Sequence, residues 1–179
     1  MTEQGSGLRL TFAWSGDRYT QQIDYCHRGA AARLLTSRED DDRAVWPISP
    51  PLQQLTLEPR PRGPVALLVG MAGTSHWSVS IEADNDPAQM TFDVACRVGQ
   101  QPTFLGSTYD CEQPLRAAGE GRVILVDGVV LEWLPVCAET ATGAEPIQVA
   151  QHQIQIVAAR HPATGTLRWK YRLALETLH

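Results

Sequence analysis

The chain has 179 residues, 43% of them hydrophobic and 20% charged, which suits one globular domain with a core of its own. Its net charge of −5 and pI near 5.5 argue against nucleic acid or an anionic membrane as the main partner, since both demand a concentrated positive field. The opening M-T-E-Q-G-S-G shows no signal-peptide pattern, and the longest apolar runs, Val65–Val69 and Val129–Leu131, fall far short of the ~20 residues of a membrane helix. The expected setting is therefore the cytoplasm.

Leu8, Leu10, Phe12 and Trp14 alternate with polar or small residues; after Ser15-Gly16-Asp17 the alternation resumes through Tyr19, Gln21, Ile23 and Tyr25. Two period-two runs around a glycine-containing turn predict a first hairpin. Periodicity then fades, with helical turns expected over Ala30–Leu35 and a solvated loop over the acidic run Glu39-Asp40-Asp41-Asp42. That run lacks the interior glycine and ligand spacing of a calcium loop. Six prolines between Pro47 and Pro64 leave room for a short edge strand at Leu52–Glu58. Val65–Val69 is apolar at every position, which predicts a central strand covered on both faces.

The clearest pattern runs from Thr74 to Val98. Trp77, Val79 and Ile81 alternate with His76, Ser78, Ser80 and Glu82; beyond an Asp/Asn/Pro cluster, Met90, Phe92, Val94, Cys96 and Val98 alternate with Thr91, Asp93, Ala95 and Arg97. This is an antiparallel hairpin with one buried face. Two registers keep apolar opposite apolar, placing His76 beside Ala95 or Arg97.

Further strands are expected at Thr103–Tyr109, Val123–Val126 and Val129–Trp133, the last two joined by Asp127-Gly128, a strong type I′ hairpin signal. Glu112–Gly121 and Glu139–Glu145 read as loops, the first with room for one helical turn. A final hairpin turns at H-P-A-T-G before Leu167, Trp169, Tyr171, Leu173 and Leu175. Ile147 and Val149 are odd positions whereas Ile154 and Ile156 are even, so a β-bulge is expected between Ala150 and Gln153. The sum is a single all-β domain over 1–179. Its about ten mostly hairpin-connected antiparallel strands are too many half-apolar strands for one open sheet, and form a β-sandwich or a β-barrel.

Cys26, Cys96, Cys111 and Cys137 form no C-x-x-C pair, so neither a zinc ribbon nor a dithiol redox site is encoded locally, and Cys96 reads as core. The histidines, 27, 76, 152, 161 and 179, show no metal-ligand spacing, although His152 and His161 could meet across a pocket. No G-x-S-x-G elbow or phosphate-binding glycine motif occurs, so no catalytic residue, metal or cofactor is assigned. Arg168, Lys170 and Arg172 share a strand face, but cations there also guard against aggregation. The candidate ligand-binding residues are His76, Ser78, Ser80, Asp93 and Arg97, one polar face of the main hairpin. In a sandwich that face meets solvent; in a barrel it would line a polar lumen.

The runs S-H-W-S-V-S (75–80), F-D-V-A-C-R-V (92–98) and L-G-S-T-Y-D (105–110) resemble those of an uncharacterised protein family of planctomycete-type bacteria. The resemblance covers roughly the middle third of the chain. It implies a bacterial, non-secreted protein and transfers no site residue.

The sequence thus favours a non-catalytic binding or interaction module for a small molecule or a protein partner. The alternative is a lipocalin-like carrier or hydrolase-type enzyme with a polar cavity around His76, Ser78, Asp93 and Arg97. A homo-oligomer paired through a strand edge is a third expectation.

Overall fold

The computed structural model describes residues 5–41, 43–85, 88–119, 121–125, 128–136, 146–158 and 164–176. Cys137, His161, His179, the 139–145 loop, Asp127 of the expected I′ turn, residues 86–87 of the turn at 84–89 and residues 161–163 of the turn at 161–165 lie outside them.

The fold is all-β, two antiparallel sheets packed as a sandwich rather than a closed barrel. Fourteen strands are described, in chain order. They are β1 (Ser6–Ser15), β2 (Arg18–His27), β3 (Ala30–Ser37), β4 (Leu52–Glu58), β5 (Val65–Ala72), β6 (Ser75–Asn85) and β7 (Ala88–Val98), followed by β8 (Gly106–Asp110), β9 (Arg116–Gly119), β10 (Arg122–Ile124), β11 (Val129–Leu134), β12 (Ile147–Ala150), β13 (Gln153–Val157) and β14 (Gly165–Leu175). One sheet runs β1-β2-β3-β8-β13-β12, the other β4-β5-β6-β7-β14-β11-β10-β9. Burying Ile23, Leu35, Ile154 and Ile156 from the first against Leu68, Val79, Phe92, Val94, Leu131 and Leu173 from the second builds one continuous core. Every odd residue of β7's opposite face is left outward, as pleating requires.

Five expectations are corrected. Ala30–Leu35 is strand, not helix: Arg28 (φ 49°) and Gly29 (φ 84°) both take the left-handed conformation between His27 and Ala30, which makes a two-residue hairpin turn without the usual Asn-Gly. Its consecutive buried residues Leu34 and Leu35 are explained by a register shift opposite Ile23/Asp24, which adds a residue and turns both inward. The parity switch near residue 150 is a chain reversal rather than a bulge, since Ala150 pairs with Gln153 and Ile147 with Ile156. Arg116–Gly119, expected in a loop, is a short edge strand.

Val65–Val69 lies inside its sheet but is covered on one face only, leaving Val69 47% exposed. The fifth correction concerns the acidic run. Asp40 Oδ2 accepts the Ile48 N–H at 2.7 Å, the Asp41 carbonyl accepts from Arg18, and Glu39 takes the Ser37 hydroxyl at 2.6 Å. Glu39 and the Asp41 carbonyl therefore tie the run to Ser37 and Arg18 of the first sheet, and Asp40 closes the loop onto Ile48, while Asp41 itself stays exposed. Among the described residues no helix is long and apolar enough to cross a membrane.

Candidate functional site

The main hairpin adopts the register that places His76 opposite Arg97, Ser78 opposite Ala95 and Ser80 opposite Asp93. It does so because Trp77–Cys96, Val79–Val94 and Ile81–Phe92 then meet on the buried face. Pairing with β5 and β14 extends these into rows across the outer face of the eight-stranded sheet. One row is Met71, His76, Arg97 and Thr166; the next is Gln54, Val69, Ser78, Ala95 and Arg168; a third is Leu67, Ser80, Asp93 and Lys170.

The first two rows enclose a surface groove of about 490 Å³. Its shape follows from side-chain size. Ser78 and Ala95 are short and form a floor, while Met71, His76, Arg97 and Gln54 stand around it. Gly70 shapes one end: a Cβ there would lie 1.8 Å from the Pro51 carbonyl oxygen, so only glycine lets β4 approach this closely. There the Gln53 side-chain amide donates to the Met71 carbonyl (3.3 Å) and accepts its N–H (3.1 Å), filling the register shift between Leu52 and Gln54.

The groove joins two chemistries. Val69 and Met71 are 47% and 48% exposed and give it an apolar wall. Arg97, exposed at its rim, has no hydrogen-bond or ion-pair partner among the described residues, and the same holds for His76. The acid closest in sequence, Asp93, is already occupied. Arg168 holds it through both oxygens (Nε at 2.6 Å) and Lys170 stands 3.9 Å away. The side-chain hydrogen bond to Asp93 also raises Arg168 above its usual range. Arg172 is paired to Glu132 and reaches Gln89. The cationic strip of β14 is thus neutralised in place, and Arg97 is left as the unneutralised cation of the groove.

Of the sequence candidates, His76, Ser78 and Arg97 line the groove; Ser80 and Asp93 sit one row beyond it. No hydrogen bond joins His76, Ser78 and Asp93 among the described residues, and all occupy regular strand positions, so a nucleophile–base–acid relay is not assembled. The lipocalin-like lumen has no counterpart, since the polar row faces outward from an open sheet. Val69, Met71, Gln54 and Thr166 were not foreseen. The signal was present in the continuation of the alternation through Val69, Gly70 and Met71, which an all-apolar reading of 65–69 concealed. His152 lies at the β12–β13 turn with Nδ1 3.3 Å from the Cys111 carbonyl, and among the described residues no group of three ligating side chains could hold a metal. A second groove of about 480 Å³ on the same face mixes Arg60 and Arg62 with Glu82 and Asp84 and so has no preference of sign.

The strongest perturbations of titration lie elsewhere, between the sheets. Tyr109 donates to Gln21 Oε1 (3.1 Å) and therefore accepts from Tyr171, whose hydroxyl is 2.6 Å away. Trp169 Nε1 donates to Ser107 (3.1 Å), and the Gln21 N–H donates to Ser37 (2.8 Å), which in turn donates to Glu39. Burial raises Tyr109 well above its ordinary value and pushes Tyr171 up to about 12. Burial also raises Glu39, against the opposing pull of Ser37 and Arg18. Neither groove reaches this polar thread, and Tyr109 and Tyr171 are 1% exposed, so it ties the sheets together rather than meeting a substrate.

Comparison with known protein families, characterised proteins and solved structures finds no match for this chain.

Proposed function

We propose that the protein is a non-catalytic binding module whose outer-face groove takes a small amphiphilic anion, a carboxylate carried on a short apolar body. The observation that carries this reading is the juxtaposition of the unpaired Arg97 guanidinium with the exposed Val69–Met71 wall in one concavity. An unpaired guanidinium offers a carboxylate a bidentate, charge-assisted contact. The acidic net charge of the chain makes a local cation without a counter-ion more informative, because carboxylates are plentiful and none among the described residues is placed against it. Ser78 and Thr166 supply hydroxyls for the remaining carboxylate lone pairs.

The volume sits in the lower part of the range of small-molecule pockets, and the groove is open, so binding is weak. One charge-assisted contact of ~1.5–3 kcal/mol, plus a few buried methylenes at ~0.8 kcal/mol each, corresponds to a Kd of roughly 0.1–1 mM. Unpaired Cys26, Cys96 and Cys111 support a reducing setting, and we place the protein in a bacterial cytoplasm on that basis and on the family resemblance.

Titration calorimetry with octanoate, octylammonium and acetate tests the reading. Octanoate alone is expected to bind, and Arg97→Gln to lose it. Equal binding of octylammonium, or unchanged binding by the variant, would remove the basis for the assignment.

A further inference from the structure

Each sheet of the sandwich has two edges, and three of the four are blunted against pairing. β4 is bracketed by Pro50, Pro51 and Pro59 and carries a register shift. β9 and β12 are four residues each, and β9 is also irregular in register. The fourth edge, β1, is different. Its ten residues pair with β2 in unbroken register, and it has no proline, no bulge and no acidic residue. Its one charge, Arg9, is already neutralised by Asp24 at 2.9 Å. Natural sheets guard long free edges with charges, prolines or bulges, and β1 carries none of these devices on its open side.

We infer that β1 is an interaction edge and that its partner is β1 of a second copy, paired antiparallel about a two-fold axis through Thr11. Directly opposed residues must share a face, so a two-fold can pass only through a residue and not between two. Through Thr11 it sets Leu10 opposite Phe12 and Leu8 opposite Trp14 of the second copy, on the face that already packs against the core. The 55% exposed Trp14 thereby gains an apolar partner. On the other face Thr11 meets Thr11, a favourable cross-strand pair, and Arg9 meets Ala13, which keeps the two guanidiniums from facing each other. A two-fold through Leu10 would instead leave Trp14 opposite Ser6. In antiparallel geometry alternate residues of β1 turn their backbone N–H and C=O away from β2, and these groups join the copies into one twelve-stranded sheet.

Sedimentation velocity of the full chain at about 100 μM, high enough to populate a weak dimer, is expected to give twice the 19.7 kDa chain mass. Thr11 is exposed, so Thr11→Lys leaves the fold of the single chain intact, as circular dichroism would show, while placing like charges face to face, and is expected to return the monomer. Across the two-fold, the Thr11 Cα atoms of an antiparallel pair would be ~4.5–5.5 Å apart, within disulfide range. The Ala13 atoms would be about 14 Å apart, four residues of strand. Under mild oxidation Thr11→Cys should therefore form a covalent dimer and Ala13→Cys should not, with the unsubstituted chain as control for its native thiols. A monomeric parent, a dimer indifferent to Thr11→Lys, or equal cross-linking at 11 and 13 would each overturn the proposal.

Discussion

Removing the Tyr109 hydroxyl tests how the two sheets are held in register. Tyr109→Phe keeps the ring and its edge contact with Tyr171 (6.2 Å between centroids) but deletes the oxygen that bonds both Gln21 and Tyr171. The Gln21 carbonyl oxygen then loses its donor, and the Tyr171 hydroxyl loses its acceptor and keeps only its contact with Ser107. Each such loss at a buried group costs ~1–3 kcal/mol, and taking the lower half of that range for both gives a loss of about 2–4 kcal/mol. Tyr171→Phe should cost less, about 1 kcal/mol, because Tyr109 still donates to Gln21 and loses only an incoming bond. The double variant should fall short of the sum by about 1 kcal/mol, the coupling expected within one network. Urea denaturation followed by far-ultraviolet circular dichroism reads all three. For a chain of this size the single loss at Tyr109 corresponds to a fall in Tm of roughly 4–16 °C. A Tyr109→Phe variant within 0.5 kcal/mol of the parent, or strict additivity, would show that the thread is not a coupled unit.

Other consequences concern pH and packing. Burial favours the neutral form of Asp24, but the hydrogen bonds and charges of Arg33 and Arg9 prevail and hold its carboxyl below the usual range. Its stabilisation is present above the unfolded pKa and lost as pH falls through the lower folded value; Asp24→Asn should flatten the acid limb of a Tm–pH curve. Glu39 is displaced the other way, so the folded state binds its proton more tightly and stability declines as pH rises from the unfolded pKa through the folded one. Glu39→Gln should abolish that decline, which thermal melts between mildly acidic and neutral pH would register. Gly70→Ala drives a Cβ into the Pro51 carbonyl, backbone that no rotamer change relieves. It should cost at least ~1–3 kcal/mol and also distort the groove, weakening octanoate binding in calorimetry.

Much of the fold was legible because most strands have one wet face. β1–β2, β6–β7 and β14 were readable from alternation alone, and the antiparallel sandwich follows from their number. What failed did so for local reasons. The β2–β3 turn uses Arg28-Gly29, and an arginine with positive φ carries no sequence signal. The alanines of β3 prefer helix in isolation, but pairing with β2 overrides that weak preference. The β12–β13 turn, Gln151-His152, looked like interior strand because neither residue is a turn former. The site was half legible. Alternation placed His76, Ser78 and Arg97 on one face, but the groove also needs Val69 and Met71 from β5, whose position beside β6 is set by long-range pairing. That Asp93 belongs to Arg168 and not to Arg97 depends on a diagonal contact between rows, which no strand pattern encodes. Tyr109 and Tyr171 read as ordinary core aromatics, and their shared hydrogen bond exists only once the two sheets stack.

The most direct test of the binding assignment is to locate the ligand on the sheet, by following backbone amide shifts in two-dimensional NMR spectra as octanoate is added. The account predicts saturable shifts confined to Val69–Met71, His76–Ser78, Ala95–Arg97 and Thr166, with the β1 and β12 edges silent and the response lost in Arg97→Gln. Shifts centred on another surface, or none at millimolar octanoate, would contradict it.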